Sequence, residues 1–252
     1  MKILKLLLAG AVIIGILYIA KLQQELAAPI KTLEPGTLTI GVLTPGRPQH
    51  WNEHYLTKFA KEHNLVLKIV KTEDFSDCWL LPANQEVDIA AHNITPTIQR
   101  EGPNHVWSKP YTQVRRSLLI RREDANTIHD FEDLAGKKIA FLGGTIEREN
   151  LSRRKEESTQ LVPTDSFQKA REMLENHEVD AVAEGHFDFE PMITEKYATI
   201  AVHDFVEGSP ENIVFSINSN NPSLINAIND FIDKNDYNQM TREQFFSDNT
   251  SN

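Results

Sequence analysis

Cysteine is almost absent from this chain: Cys78 is the only one in 252 residues. An intramolecular disulfide is therefore impossible, and so is a structural zinc site built on cysteines. Standing before Trp79 and Leu80, Cys78 reads as a small buried hydrophobe. Positive charge is also in short supply. The formal net charge is −10, and there is neither a basic stripe nor zinc-finger spacing, so a nucleic-acid partner is excluded. No Ser-His-Asp order, nucleophile elbow or phosphate-loop lysine occurs, which leaves serine hydrolysis and nucleotide chemistry unsupported. No catalytic residue, cofactor or metal site is expected. Repeats at solenoid spacing and low-complexity tracts are missing as well.

Long apolar runs are confined to the N-terminus. Lys2 and Lys5 precede an almost unbroken stretch from Leu6 to Ala20, and Lys21 closes it. Such a segment is either a cleaved signal peptide or an uncleaved anchor. Its cleavage sites are poor: Tyr18 falls at −3 for a cut after Ala20, and a cut after Ala28 would place Pro29 at +1. No cysteine follows that could carry a lipid. The expectation is an inner-membrane anchor over residues 3–20, with the body in the periplasm. Residues 1–21 form that segment, and residues 22–36, with Pro29 and Pro35, a polar tether.

Beyond the tether the pattern alternates between strands and helices. Thr37 to Leu43 is β-branched and apolar, Trp51 to His63 has Tyr55, Phe59 and Ala60 on one stripe, and Val66 to Val70 is a second strand. A helix near Ser76 to Gln85 and a strand from Val87 to Ala91 follow. Strand–helix–strand order implies a parallel sheet with right-handed crossovers. Ligands in such sheets bind beyond the carboxyl ends of the strands, here Thr44 to Trp51 and His92 to Arg100. A second unit begins after Ser117 to Arg121. It contains the Phe131–Phe141 helix, turn and strand, then Gly143-Gly-Thr145 opening a helix. The strand Thr159–Val162, the helix Asp165–Asn176, the strand Val179–Ala183, a helix near Phe187 to Lys196 and the strand Ile213–Ile217 come next. Leu224, Ile225, Ile228 and Ile232 form the last helical stripe.

The richest stretch runs Asp88-Ile-Ala-Ala-His-Asn-Ile-Thr-Pro-Thr-Ile-Gln-Arg-Glu101, with Trp107-Ser-Lys-Pro-Tyr111 shortly after. A strand end, two hydroxyls (Thr95 and Thr97), the amides of a polar helix expected at Arg100 and the Arg100 fork would converge there. That combination suits a small carboxylate. The stretch closely resembles the first-lobe ligand loop of the family 3 extracellular solute-binding proteins, the polar amino-acid receptors of bacterial importers. The resemblance covers roughly Leu38 to Phe246. It implies an α/β, two-lobed periplasmic-binding-protein-like fold with a hinge of two crossover strands, preceded by the N-terminal hydrophobic helix. Lobe 1 would span 37–116, lobe 2 with the hinge strands 117–216, and residues 217–252 would return to lobe 1.

By the same resemblance, Arg100 pairs with the ligand α-carboxylate and Thr95 donates a hydroxyl. Asn93 stands where the family has a glycine whose carbonyl faces the ligand amine. Gly144 and Thr145 belong to the second-lobe loop that closes on the carboxylate. Two departures stand out. The family's amine-binding Asp would fall on Gly185, leaving Glu184, or Asp188, to meet an ammonium. The segment carrying a ligand-stacking aromatic is short, leaving Trp51 as its substitute. The expected ligand is thus a small carboxylate, an amino acid first, and the expected partner an ABC permease or a cell-wall component.

Three other readings are open. The chain also resembles the regulatory half of membrane-bound lytic transglycosylase F, without its lysozyme-like domain, which would make it a sensor or cell-wall regulator. Relatives of the fold include small-carboxylate dehydratases, in which Glu184 would donate a proton. His50-Trp-Asn-Glu-His54 spells an inverted zinc-peptidase pattern with Glu53 as base. That pattern needs a long helical surround and a third ligand, and arises easily in a chain with nine histidines.

Overall fold

The computed structural model describes residues 30–43, 47–72, 75–154, 157–185, 197–201 and 210–240. The N-terminal apolar run, Asp188 and the helix expected at Phe187 to Lys196 lie outside the described residues. Among those described, no helix is long and apolar enough to cross a membrane.

The chain builds two mixed sheets. The first begins with β1 (Thr37–Leu43), α1 (Arg47–Glu62) and β2 (Val66–Thr72), and continues through β3 (Ile89–Ile94), β4 (His105–Trp107) and β5 (Thr112–Val114). The second contains β6 (Arg116–Arg121), β7 (Lys138–Leu142), α2 (Glu147–Arg154), β8 (Gln160–Thr164), α3 (Phe167–Glu175), β9 (Ala181–Gly185) and β10 (Tyr197–Ala201). Then β11 (Glu211–Asn218) and α4 (Pro222–Lys234) rejoin the first. Strand order is β2-β1-β3-β11-β4 in one sheet, with β5 beside β11, and β10-β6-β9-β7-β8 in the other. The chain therefore crosses between sheets just before Arg116 and again just before Glu211. All of β11 pairs within the first sheet, so the sequence-based boundary at 216/217 falls inside a strand of lobe 1.

Packing follows from alternation. On β1, Leu38, Ile40 and Val42 face a core shared with Tyr55 and Phe59 of α1 and Phe231 of α4. Rings dominate it: Tyr111 stacks on Phe215 with centroids 4.1 Å apart, and Tyr55 meets Phe231 edge-on at 4.9 Å. Helix α4 starts cleanly because the Asn221 side chain accepts the Leu224 N–H, with Pro222 in the first turn. In the second sheet Leu118, Phe141 and Leu151 fill one face, while Leu119, Ala170 and Leu174 fill the other. Cys78 is buried as expected, between Phe75, Ala90, Ile94 and Leu142. That cluster joins a second-lobe strand to the first lobe.

Two expected helices do not form. Residues Ser76 to Gln85 make a single 3₁₀ turn, Cys78–Leu80, followed by further turns, with Asp77 and Gln85 at positive φ. The helix expected at Arg100 is also a 3₁₀ turn, Ile98–Arg100, after which the backbone extends at Glu101. Gly102-Pro103-Asn104, with Asn104 at φ 68°, ends any helical continuation.

His92 is buried under β1. Gly41 makes room for it, since a Cβ there would lie 2.9 Å from its Cε1. Its Nε2 is 3.0 Å from the Thr72 hydroxyl, and its Nδ1 has no partner among the described residues. Burial pulls its pKa from 6.5 down to about 4. The unfolded chain therefore takes up a proton at higher pH than the folded one. Stability contributed by neutral His92 is complete above pH 6.5 and is lost as pH falls toward 4, by at most about 3 kcal/mol. Desolvation lowers His63 and His105 too, with the same sign. Urea unfolding of His92→Gln between pH 4 and pH 6.5 should show a flatter pH dependence than the parent. Parallel curves would mean that His92 is not the buried neutral group.

Candidate functional site

The cleft between the lobes has a volume of about 450 Å³ and is lined by Trp79, Thr97 and Arg100 from one side and Thr145, Ile146 and Arg148 from the other. Gln99 and Glu149 complete its rim. Arg100 is 7% exposed. Its guanidinium carbon lies 5.2 Å from the Phe75 ring centre and 4.8 Å from that of Trp79, so both rings hold it. Nη1 donates to the Thr95 carbonyl at 2.9 Å, and Nη2 to the Gly144 carbonyl, across the cleft, at 3.5 Å. Among the described residues no carboxylate bonds to it. Burial lowers its pKa, yet an arginine stays charged over the physiological range. A buried cation that donates to backbone carbonyls and lies over two ring faces is chemically suited to meet an anion.

Gly144 is required on two counts. Its φ is 78°, and a Cβ would sit 3.0 Å from the Ser76 hydroxyl of the opposite lobe. Thr145 lines the cleft, but its hydroxyl donates to the Leu142 carbonyl at 2.6 Å, closing the turn before α2. Asn93 adopts φ 55°, which explains an Asn where the resembling family has Gly. Its Oδ1 accepts from Asn52 Nδ2 and from the Tyr111 hydroxyl, each at 2.9 Å. The side chain is thus held inside lobe 1. Trp51 is not brought to the cleft; it packs half-buried on the first-lobe core. The aromatics at Arg100 are Phe75 and Trp79, from the segment misread as a helix. Strand β9 places Glu184 opposite Ser117 and Gly185 opposite Arg116; the side chain of Glu184 lies outside the described residues. The amides of a helix starting at Arg100 are also missing, because no such helix exists.

Behind Arg100 lies a buried ionic cluster that sequence reading missed. Thr95 donates its hydroxyl to Glu211 Oε2 at 3.1 Å. Arg116 donates Nε to Glu211 Oε1 at 3.2 Å, Nη2 to Glu211 Oε2 and to the Thr95 hydroxyl, and Nη1 to Glu147 Oε1. Asn150 adds a bond to Glu211 Oε1 at 3.4 Å. Arg116 and Glu211 stand at the two crossing points, and Glu147 opens α2 in lobe 2. The cluster ties the lobes together at the hinge. As for the zinc pattern, the His50 side chain lies outside the described residues, and α1 is a sheet-covering helix. Among the described residues no three His, Cys, Asp or Glu side chains are grouped to hold a metal ion.

Two lobes of mixed sheet, joined by paired crossings and meeting over a buried arginine, define the type 2 periplasmic-binding-protein fold. The chain belongs to the NMT1/THI5-like family, whose model matches residues 58–218. No curated protein sequence matches it. Solved structures share the fold at low identity. An amino-acid ABC transporter substrate-binding protein, AbpA of Streptococcus pneumoniae bound to L-arginine, is 16% identical with a TM-score of 0.72, over 83% of this chain and 94% of that one. An ancestral amino-acid-binding protein described as a precursor of cyclohexadienyl dehydratase is 18% identical, with a TM-score of 0.70 over 82% and 95%. A mutant of ArgBP from T. maritima is 19% identical, with a TM-score of 0.70 over 83% and 95%. These neighbours are binding proteins, one of them tied by description to an enzyme.

Proposed function

We propose that this chain is an extracytoplasmic solute-binding protein that closes two lobes around a small carboxylate, an amino acid in the first instance, and delivers it to an ABC-type importer. The observation that carries the reading is Arg100: a buried guanidinium, held by two aromatic rings, in a cleft that both lobes line. A carboxylate on its fork would also meet the Thr97 and Thr145 side of the cleft, so ligand favours the closed arrangement by touching both lobes. The structural neighbours, amino-acid-binding proteins among them, support amino acids as the class to try first. The Lys-flanked apolar run at residues 3–20 supports an inner-membrane anchor and a periplasmic body. The protein works by binding and not by catalysis.

A thermal-shift screen of the body from Thr37 onward tests this, using L-arginine, other amino acids, simple carboxylates and muropeptide fragments. A true ligand at a hundred times its Kd should add about 2.7 kcal/mol of stability. Response to muropeptides alone would support the cell-wall regulator instead. Silence across all amino acids and carboxylates would sink the proposal.

A further inference from the structure

Two guanidinium groups line the cleft, one on each wall. Arg100 belongs to lobe 1, and Arg148, the second residue of α2, to lobe 2. Arg148 is also placed by a ring: its guanidinium carbon lies 5.8 Å from the centre of the buried Phe141 side chain. Among the described residues no carboxylate bonds to either arginine. Glu149, the one acid among the described residues that line the cleft, is bonded to Arg153 of its own helix. The Thr95 hydroxyl, expected at the ligand, is turned away from the cleft to Glu211 at 3.1 Å. A ligand on Arg100 therefore lies toward Thr97 and Thr145, on the side where α2 brings Arg148.

We propose that the ligand carries two anionic groups, one for Arg100 of lobe 1 and one for Arg148 of lobe 2. The chain then selects small dicarboxylates, acidic amino acids among them, over neutral and cationic amino acids. This inference rests on the carboxylate reading above and narrows it. Two cations on facing walls repel each other as the lobes approach. A dianion between them turns that repulsion into attraction on both sides, whereas a monoanion serves one wall only. Trp79 and Ile146 offer apolar contact to the short carbon chain between the two carboxylates. Arg148 acts here as a specificity residue, attracting one class of ligand and rejecting another. L-arginine, the ligand bound by AbpA, would bring a cationic side chain against it.

Calorimetry with matched probes isolates the second charge. Succinate and succinamate share a shape, and only succinate carries the second carboxylate; L-glutamate and L-glutamine form the corresponding amino-acid pair. At neutral pH and low salt the diacid of at least one pair should bind more tightly. The gap should be roughly fivefold at a solvent-exposed guanidinium and wider where closure excludes water. Added salt should narrow it. Arg148→Gln should abolish the preference while leaving affinity for the half-amide little changed, and should let L-arginine bind more tightly than it binds the parent. Arg148 is exposed, so the variant should keep the parent's melting temperature, which checks the fold. Half-amides or L-arginine that bind the parent as tightly as the diacids overturn the proposal and leave the carboxylate reading intact. A diacid preference that survives Arg148→Gln does the same. Silence from all of these probes also overturns the dianion assignment, and the wider thermal-shift screen then decides the carboxylate reading separately.

Discussion

Arg116→Met should destabilise the protein by about 3 to 5 kcal/mol at neutral pH, which is the usual loss when one partner of a buried ion cluster is removed. The size follows from what remains. Glu147 and Glu211 are both buried, and without the guanidinium each loses its principal donor. Methionine fills much of the vacated volume, so the loss reports charge and not a cavity. Two further measurements separate this cause from general damage. The defect should shrink on acidification, because a protonated carboxyl no longer presents a buried charge. It should also be largely recovered in the triple variant Arg116→Met, Glu147→Gln, Glu211→Gln, since removing a whole ionic cluster is often near neutral. Urea unfolding at several pH values provides all three numbers. A loss under about 1 kcal/mol, or one indifferent to both acid and the triple substitution, would show that the cluster does not hold the lobes.

How much of this was legible beforehand depends on range along the chain. Strands β1 and β2 and helices α1 and α4 could be read because their apolar spacing is local, at periods of two and 3.6. The loop at the cleft could be read because Thr95, Thr97 and Arg100 lie within six residues of each other. Segment 76–85 was misread: its apolar residues Cys78, Trp79, Leu80 and Leu81 suggest a helix, yet Asp77 and Gln85 turn the chain at positive φ. Pro82 in the middle of that segment was the available warning. Trp51, expected at the cleft because the family's aromatic-bearing segment is short here, packs on the lobe 1 core, and Trp79 lines the cleft. The ionic cluster was out of reach altogether. Arg116 and Glu211 are 95 residues apart, and each looks like an ordinary charged residue beside a strand. Only the crossing of β6 and β11 at the hinge brings them together, and no local pattern encodes that encounter. The first departure noted in the sequence, Gly185 in place of an acid, lies beside the same cluster. Gly185 pairs with Arg116 in the sheet, and Arg116 is bonded by two acids delivered by other elements, Glu147 and Glu211.

Arg100→Ala should abolish measurable binding of whichever carboxylate or amino acid proves tightest in the screen. Truncating one partner of a buried charge-assisted pair costs about 2 to 5 kcal/mol, or roughly thirtyfold to several thousandfold in Kd. The fold should survive, for a local reason. What Arg100 leaves behind is two backbone carbonyls, of Thr95 and Gly144, in a cleft that water can enter, and two ring faces that already pack on Cys78, Ile94 and Leu142. Arg100→Lys sharpens the test. Lysine keeps the positive charge but loses the planar fork that donates to both lobes and lies over Phe75 and Trp79. If charge alone attracts the ligand, Lys should restore most of the affinity; if geometry matters as the cleft indicates, Lys should recover only a small part. Calorimetry on parent and both variants, with far-UV circular dichroism and melting temperature as controls for folding, decides between these. Unchanged affinity in a folded Arg100→Ala protein would remove Arg100 from the site. The anion would then have to be sought at Arg148, the other arginine on the cleft wall.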